Sequence, residues 1–178
     1  MRIWRWAPEW TSGVSGVGSV MIAQAQAFIS TVTGTLDSKG RVCIPADYRT
    51  ALTAQETAGV YLCTSFLDSS IEGFGAARMQ RLLAKQAEQD PVLGTDIDDL
   101  TRLTLGMTQL LPRDENGRVR LPESFIEHGG LTDRVVFVGE GESFRIWSPD
   151  AHTAIREEQI KQARAIHAAR RAGRAGEG

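Results

Sequence analysis

The sequence predicts an α+β fold, mainly β, made from two copies of one small unit with helices between them and at the end. Three observations predict it. Residues 37–45, DSKGRVCIP, return 77 residues later as DENGRVRLP at 114–122, with five of nine positions identical. A repeated block of turn residues, a basic residue and a proline marks a duplicated structural element. Each block is followed by a short helical stretch and then by two apolar runs with strand character, VYLCT and SIEGF in the first copy, VVFV and FRIW in the second. Between the copies, residues 78–89 place Met79, Leu82, Leu83 and Gln86 along one helical stripe.

The elements follow in order. Residues 31–36 form a strand leading into Asp37-Ser38-Lys39-Gly40, and residues 107–111 one leading towards Asp114-Glu115-Asn116-Gly117. Asp first and Gly fourth fit a type I turn. Gly40 and Gly117 fit equally a left-handed residue that makes a bulge after a short turn. Alternating strands follow at 41–44 and 118–121, so each motif reads as the tip of a β-hairpin. Pro45 and Pro122 then suit the first turn of short helices at 46–52 and 123–128, because that turn has no use for the missing N–H. Gly129 and Gly130 stop the second helix. Strands are expected at 60–64, 70–74, 135–138 and 144–147, the last two joined by a Gly-Glu-Gly loop. Residues 96–104 extend the helical insert, and residues 88–101 hold five acids and no base. Ser148 caps a last helix with Pro149 at its first position. Residues 160–174 carry five bases and no acid before a loose tail at 173–178.

Five segments result: an N-terminal extension at 1–26, expected to be disordered; a first unit at 28–75; a helical insert at 76–105; a second unit at 106–149; and a C-terminal helix with a basic tail at 150–178. The extension holds three of the four tryptophans, Met21 offers an alternative start, and Pro8, Glu9 and a Gly/Ser run spoil a signal-peptide core.

Composition limits the function. The chain has 178 residues, 42% apolar, with a net charge of −2. That suits one compact domain or two small repeats sharing a core. No apolar run approaches the roughly 20 residues of a membrane span. A balanced net charge speaks against a general nucleic-acid coat but leaves room for a local basic face. Two cysteines, Cys43 and Cys63, are too few for a disulfide framework, and with three scattered histidines they make no metal site. Both are expected as buried or half-buried free thiols. GVSGVGS lacks the ending of a phosphate loop. Ser124, His128 and Asp133 lie close in sequence, but no nucleophile elbow surrounds the serine. No enzyme, cofactor, metal or small-molecule substrate is expected.

The string LDSKGRVCIP with Arg49, followed by DENGRVRLP and GGLTDRVVFVGEGESFRIW, resembles the MraZ family over residues 28–151. The resemblance implies two tandem units of the SpoVT/AbrB type. It implies swapped hairpins folded together as one barrel with pseudo-twofold symmetry. It further implies a cytoplasmic, nucleoid-associated transcription regulator, a repressor or an activator. Such a protein binds double-stranded DNA at repeated sites upstream of the division and cell-wall gene cluster, as a ring-like homo-oligomer. The family's DNA contact falls on the Asp-x-x-x-Arg motif, hence on Arg41 and Arg118.

The residues agree in kind. A two-stranded ribbon can enter a major groove, where arginine bonds guanine or grips phosphate. Lys39 and Arg49 in the first copy, and Arg113 and Arg120 in the second, are the further candidate contacts. The alternative for Arg41 and Arg118 is an ion pair within the motif to Asp37 or Asp114. The copies differ: Asn116 stands for Lys39 and Ile126 for Arg49. One protomer therefore offers few phosphate contacts, and useful affinity needs several protomers on spaced repeats. The alternative function is an AbrB-type antitoxin that binds a toxin and represses its own operon.

Overall fold

The computed structural model describes residues 26–87 and 99–175. The chain runs β1 (Thr31–Thr35), β2 (Arg41–Cys43), α1 (Ala46–Ala54), β3 (Gly59–Thr64), β4 (Ile71–Phe74), then helices α2 (Ala76–Ala87) and α3 (Asp99–Met107). The order then repeats: β5 (Gln109–Pro112), β6 (Arg118–Arg120), α4 (Glu123–Gly129), β7 (Arg134–Gly139), β8 (Ser143–Trp147), closing on helix α5 (Pro149–Ala175). Helix persists to residue 175, where a loose tail was expected from 173, because the Ala/Arg-rich sequence favours helix. The expected disorder of the N-terminal extension lies outside the described residues.

The two copies are exchanged rather than adjacent. A six-stranded antiparallel sheet has the order β1-β7-β8-β4-β3-β5, and β2 pairs with β6 as a separate ribbon. Thus β1 of the first copy lies against β7 of the second, and β5 of the second against β3 of the first. Swapping the copies maps this pairing onto itself. The expected hairpins at the motifs are only one bridge deep: Leu36 pairs with Val42 and Arg113 with Val119, after which the strands part. Val42 and Val119 are fully buried between outward-facing neighbours. Pairing with the other copy is what puts both valines under one roof.

The barrel does not close among the described residues. β1 and β5 are the outer strands of the sheet, and the ribbon is tied to them only by the two single bridges. Between sheet and ribbon lies the core. Phe28, Tyr48, Phe137 and Phe144 form an aromatic cluster with ring centroids 5.1–6.2 Å apart. Val42, Ile44, Val119 and Leu121 cover it from the ribbon, and Leu52 and Phe125 from α1 and α4. Gly73 faces Phe144 across β4 and β8, and a Cβ there would run into the ring. The Tyr48 hydroxyl donates to the Ser30 carbonyl at 2.8 Å, so the ring is buried with its polar end satisfied. Among the described residues no helix is long and apolar enough to cross a membrane.

Pro45 and Pro122 stand one place earlier than expected, at the N-caps of α1 and α4 with φ of −52° and −59°. Proline suits this place too, since its carbonyl takes the first helical bond: Arg49 N–H donates to Pro45 O at 2.9 Å. Gly130, at φ 54°, ends α4 in the left-handed conformation that glycine tolerates best.

Exchange of strands makes the copies depend on each other. Urea unfolding should therefore be a single transition, with NMR signals from β3–β4 and from β7–β8 lost at one midpoint. Two separated midpoints would contradict the shared core.

Candidate nucleic-acid interface

Both motif turns use one construction. Gly40 N–H donates to Asp37 O and Asp37 N–H to Arg41 O, each at 2.9 Å; Gly117, Asp114 and Arg118 repeat this at the same distances. The aspartate side chain then accepts two more amides. Lys39 and Arg41 N–H reach Asp37 Oδ1 at 2.9 Å, and Asn116 and Arg118 N–H reach Asp114 Oδ1 at 2.9 and 2.8 Å. Gly40 and Gly117 stand at φ +71° and +76°. The two turn readings thus hold together: a type I turn followed by a left-handed glycine bulge. The carbonyl of each bulge glycine accepts from the other copy: Leu121 N–H donates to Gly40 O at 2.8 Å and Ile44 N–H to Gly117 O at 3.0 Å.

The ribbon register decides what faces solvent. Arg41 lies opposite Arg120, Val42 opposite Val119 and Cys43 opposite Arg118. With a period of two, the valines point into the core and Arg41, Cys43, Arg118 and Arg120 share the outer face. The turns sit at the two ends of this face, carrying exposed Lys39 at one and exposed Asn116 at the other. Like charges directly across a strand pair are destabilising, so Arg41 opposite Arg120 costs the fold something.

The arginines are held differently. Arg41 is clamped by Asp37, with both Nε and Nη2 within 2.8 Å of Oδ2. Bonds from the Arg41 amide first, and from its guanidinium second, hold the Asp37 carboxyl down at about 2. Arg118 makes no such pair with Asp114, and among the described residues no ion pair reaches Lys39, Arg118 or Arg120. The intramotif bridge therefore forms in the first copy only.

Arg49 and Arg113 have other partners. Arg49 reaches from α1 under the second turn, donating from Nη1 to Asn116 O at 2.9 Å, and a Cβ on Gly117 would run into its stem. Its counterpart Ile126 sits beneath Gly40 in the same way. Each helix thus supports the other copy's turn. Arg113 is half-buried and donates to the carbonyls of Thr57 at 3.1 Å and Arg49 at 3.5 Å. Burial, and secondly the Arg49 cation, lower its pKa, and its Nε lacks a partner. It braces the fold beneath the ribbon and does not join the outer face.

Arg134 has no place in the sequence-based set, yet it stands exposed opposite Thr35. With Arg49, Thr35, Cys43 and Ala46 it lines a groove of about 530 Å³ beside the ribbon. Only the β1–β7 register brings it there, and nothing in the string TDRVVF announces it. Cys43, expected to be at least half-buried, is exposed on the ribbon because it alternates with Val42; Cys63 is buried, and burial pushes its thiol up to about 11. His128 turns its ring to the Asp68 carbonyl at 3.0 Å.

The structure is thus a duplicated α+β unit with exchanged strands, presenting a ribbon of outward arginines between two aspartate-locked turns. Comparison with known proteins agrees. The family model described as "MraZ protein, putative antitoxin-like" matches residues 27–92 and 105–175. A protein of Azorhizobium caulinodans named transcriptional regulator MraZ is 38% identical over 77% of this chain and 88% of its own length. Those of Gluconobacter oxydans and Parvibaculum lavamentivorans, with the same name, are 37% and 39% identical over 81% and 73% of this chain and 89% and 81% of theirs. The chain belongs to the MraZ family, and these relatives are named transcriptional regulators. These names favour the regulator over the antitoxin alternative.

The Asp37 clamp has a testable signature. The folded carboxyl is depressed from 3.8 to about 2, so the interaction is fully present above about pH 4 and is lost as pH falls through about 2. In Arg41→Ala the NMR midpoint of Asp37 should rise only part of the way to 3.8, because the amide bonds remain. A complete return to 3.8 would show that the guanidinium alone sets it.

Proposed function

We propose that the protein is a cytoplasmic, nucleoid-associated transcription regulator that binds double-stranded DNA through the β2–β6 ribbon. The observation that supports this reading is the outer face of that ribbon. Arg41, Arg118 and Arg120 converge there on a strand pair narrow enough for a major groove. Arg118 and Arg120, which have no ion pair among the described residues, are the groups available for bidentate contact with guanine. Arg41, aimed by Asp37, offers its remaining N–H groups in a fixed direction. Lys39 on the first turn grips phosphate, and Arg49 and Arg134 add positive potential along the neighbouring groove. Arg113 supports the ribbon from beneath.

Under this reading specificity comes from the arginine face and affinity from repetition. A protomer with so few free cations binds weakly, so a homo-oligomer, ring-like as the family resemblance implies, engages repeated sites together. The sites are those upstream of the division and cell-wall gene cluster. The domain division follows the copies, 28–75 and 106–149, each supplying one strand of the ribbon.

The test is a footprint on DNA upstream of the protein's own gene at two salt concentrations, with oligomeric mass measured alongside. Binding should weaken steeply with salt. Arg118→Ala should cost about 1–3 kcal/mol of specific binding with the unfolding midpoint unchanged. Unaltered affinity in the Arg41→Ala/Arg118→Ala double variant would remove these residues from the contact.

A further inference from the structure

Helix α5 is anchored only at its start. Ala151, His152 and Ile155 are half-buried, whereas every residue from Arg156 to Arg171 is exposed. At about 1.5 Å per residue this exposed part spans roughly 24 Å. Its charge is segregated. The acids Asp150, Glu157 and Glu158 all precede residue 160, and residues 160–171 hold Lys161, Arg164, Arg170 and Arg171 with no acid. Lys161 makes a loose 3.7 Å pair with Glu158, and among the described residues the three arginines have no ion pair. Arg164, His167 and Arg171, at spacings of three and four, line one shallow groove with Ile160, Ala163 and Ala168.

The apolar side chains show what this surface does not fit. Ile155 and Ile166, eleven residues apart, share a face, but about three turns separate them and Ile160 projects ~140° away, so no continuous apolar stripe forms. Neither the seam of a helix–helix contact nor the apolar face of a membrane-surface helix can be made from them. What runs along the helix is cationic charge, and its complement is a polyanion. The root of the helix is also well placed. β8 ends at Trp147 opposite Val136, and β7 begins beside β1 where the Leu36 amide bonds the Asp133 carbonyl at 2.9 Å. The helix therefore leaves the sheet at the end that carries the first motif turn.

We propose that the cationic half of α5, Lys161–Arg171, is a second DNA element that grips backbone phosphate without reading sequence. The proposal rests on the DNA-binding function above and adds to it a source of affinity outside the ribbon. Phosphate contacts of this kind act through counterion release, each contributing about 0.9 to the slope of log K against log salt.

The experiment compares the full chain with a variant carrying Lys161→Gln, Arg164→Gln, Arg170→Gln and Arg171→Gln. Glutamine keeps helix propensity, and the positions are exposed, so folding is preserved. Binding is measured from 50 to 200 mM salt on a duplex from upstream of the protein's own gene and on a random duplex of equal length. The expected result is a slope shallower by about 3.6 on both duplexes, at about 0.9 for each of the four lost contacts. The preference for the upstream duplex should be unchanged. Equal slopes in a wild-type protein that binds DNA would overturn the role of the helix and leave the ribbon reading standing. Failure of the wild type to bind either duplex would sink the ribbon reading first. A change of oligomeric mass in the variant, or wild-type binding to anionic phosphatidylglycerol vesicles that the variant loses, would overturn the proposal in favour of a copy contact or a lipid surface.

Discussion

The reciprocal pairing of β2 with β6 is the constraint on which the rest of the structure hangs. Three residue pairs make the ribbon, and the two flanking bonds run from Leu121 and Ile44 to the bulge glycines of the opposite copy. This short ladder does two things. It buries Val42 and Val119 over the aromatic cluster, and it lifts the residues between and beside them out of the core. A ribbon with a dry inner face has its register fixed, because a slip of one residue would bury arginines and expose valines. The outer arginine face is therefore specified by packing on the side that never meets solvent.

Duplication explains why the turns are alike, and divergence explains why they behave differently. Both aspartates lock their loops by accepting two backbone amides. Only Asp37 also takes its arginine, while Arg118 is left without an ion partner among the described residues. The supports beneath the turns differ as well, an arginine under Gly117 and an isoleucine under Gly40. The second turn has lost the lysine at its tip but carries a cation below; the first has a lysine at its tip and an apolar floor. Charge has been redistributed between the copies around a backbone that is nearly the same in both.

The sequence made the local elements legible because each has a local cause. The Asp and Gly of the turns, the prolines ahead of α1 and α4 and the glycines after α4 act within a few residues. What the local pattern could not show was pairing between copies, which only the family resemblance implied. The string 31–45 looks like a hairpin because its strands are close in sequence, and nothing local says that β1 prefers β7 and β2 prefers β6. The same limit separated the six candidate cations. Arg113 and Arg120 lie on either side of the second turn, yet one donates to part-buried carbonyls and the other faces solvent, since the bridge Arg113–Val119 turns the first inward. Arg134 went unseen for the same reason: its neighbours are set by register across 100 residues of chain, not by its own context.

Electrostatics then bears on how the proposed DNA contact gains its affinity. The chain is net negative at −2, so its overall field does not draw DNA in. Binding has to come from local segregation: cations on the ribbon, in the adjoining groove and along the second half of α5, whose acids stand in its first turns. Within the first motif even Arg41 is partly neutralised by the carboxylate that aims it. That trade gives up attraction for orientation, which favours reading bases over holding phosphate. Under the proposed reading, a ribbon built in this way is selective and weak. The shortfall in affinity must be supplied elsewhere, by neighbouring copies on repeated sites or by a sequence-blind cationic arm, and the exposed half of α5 is the segment of the described chain with the charge and the freedom from packing to be that arm.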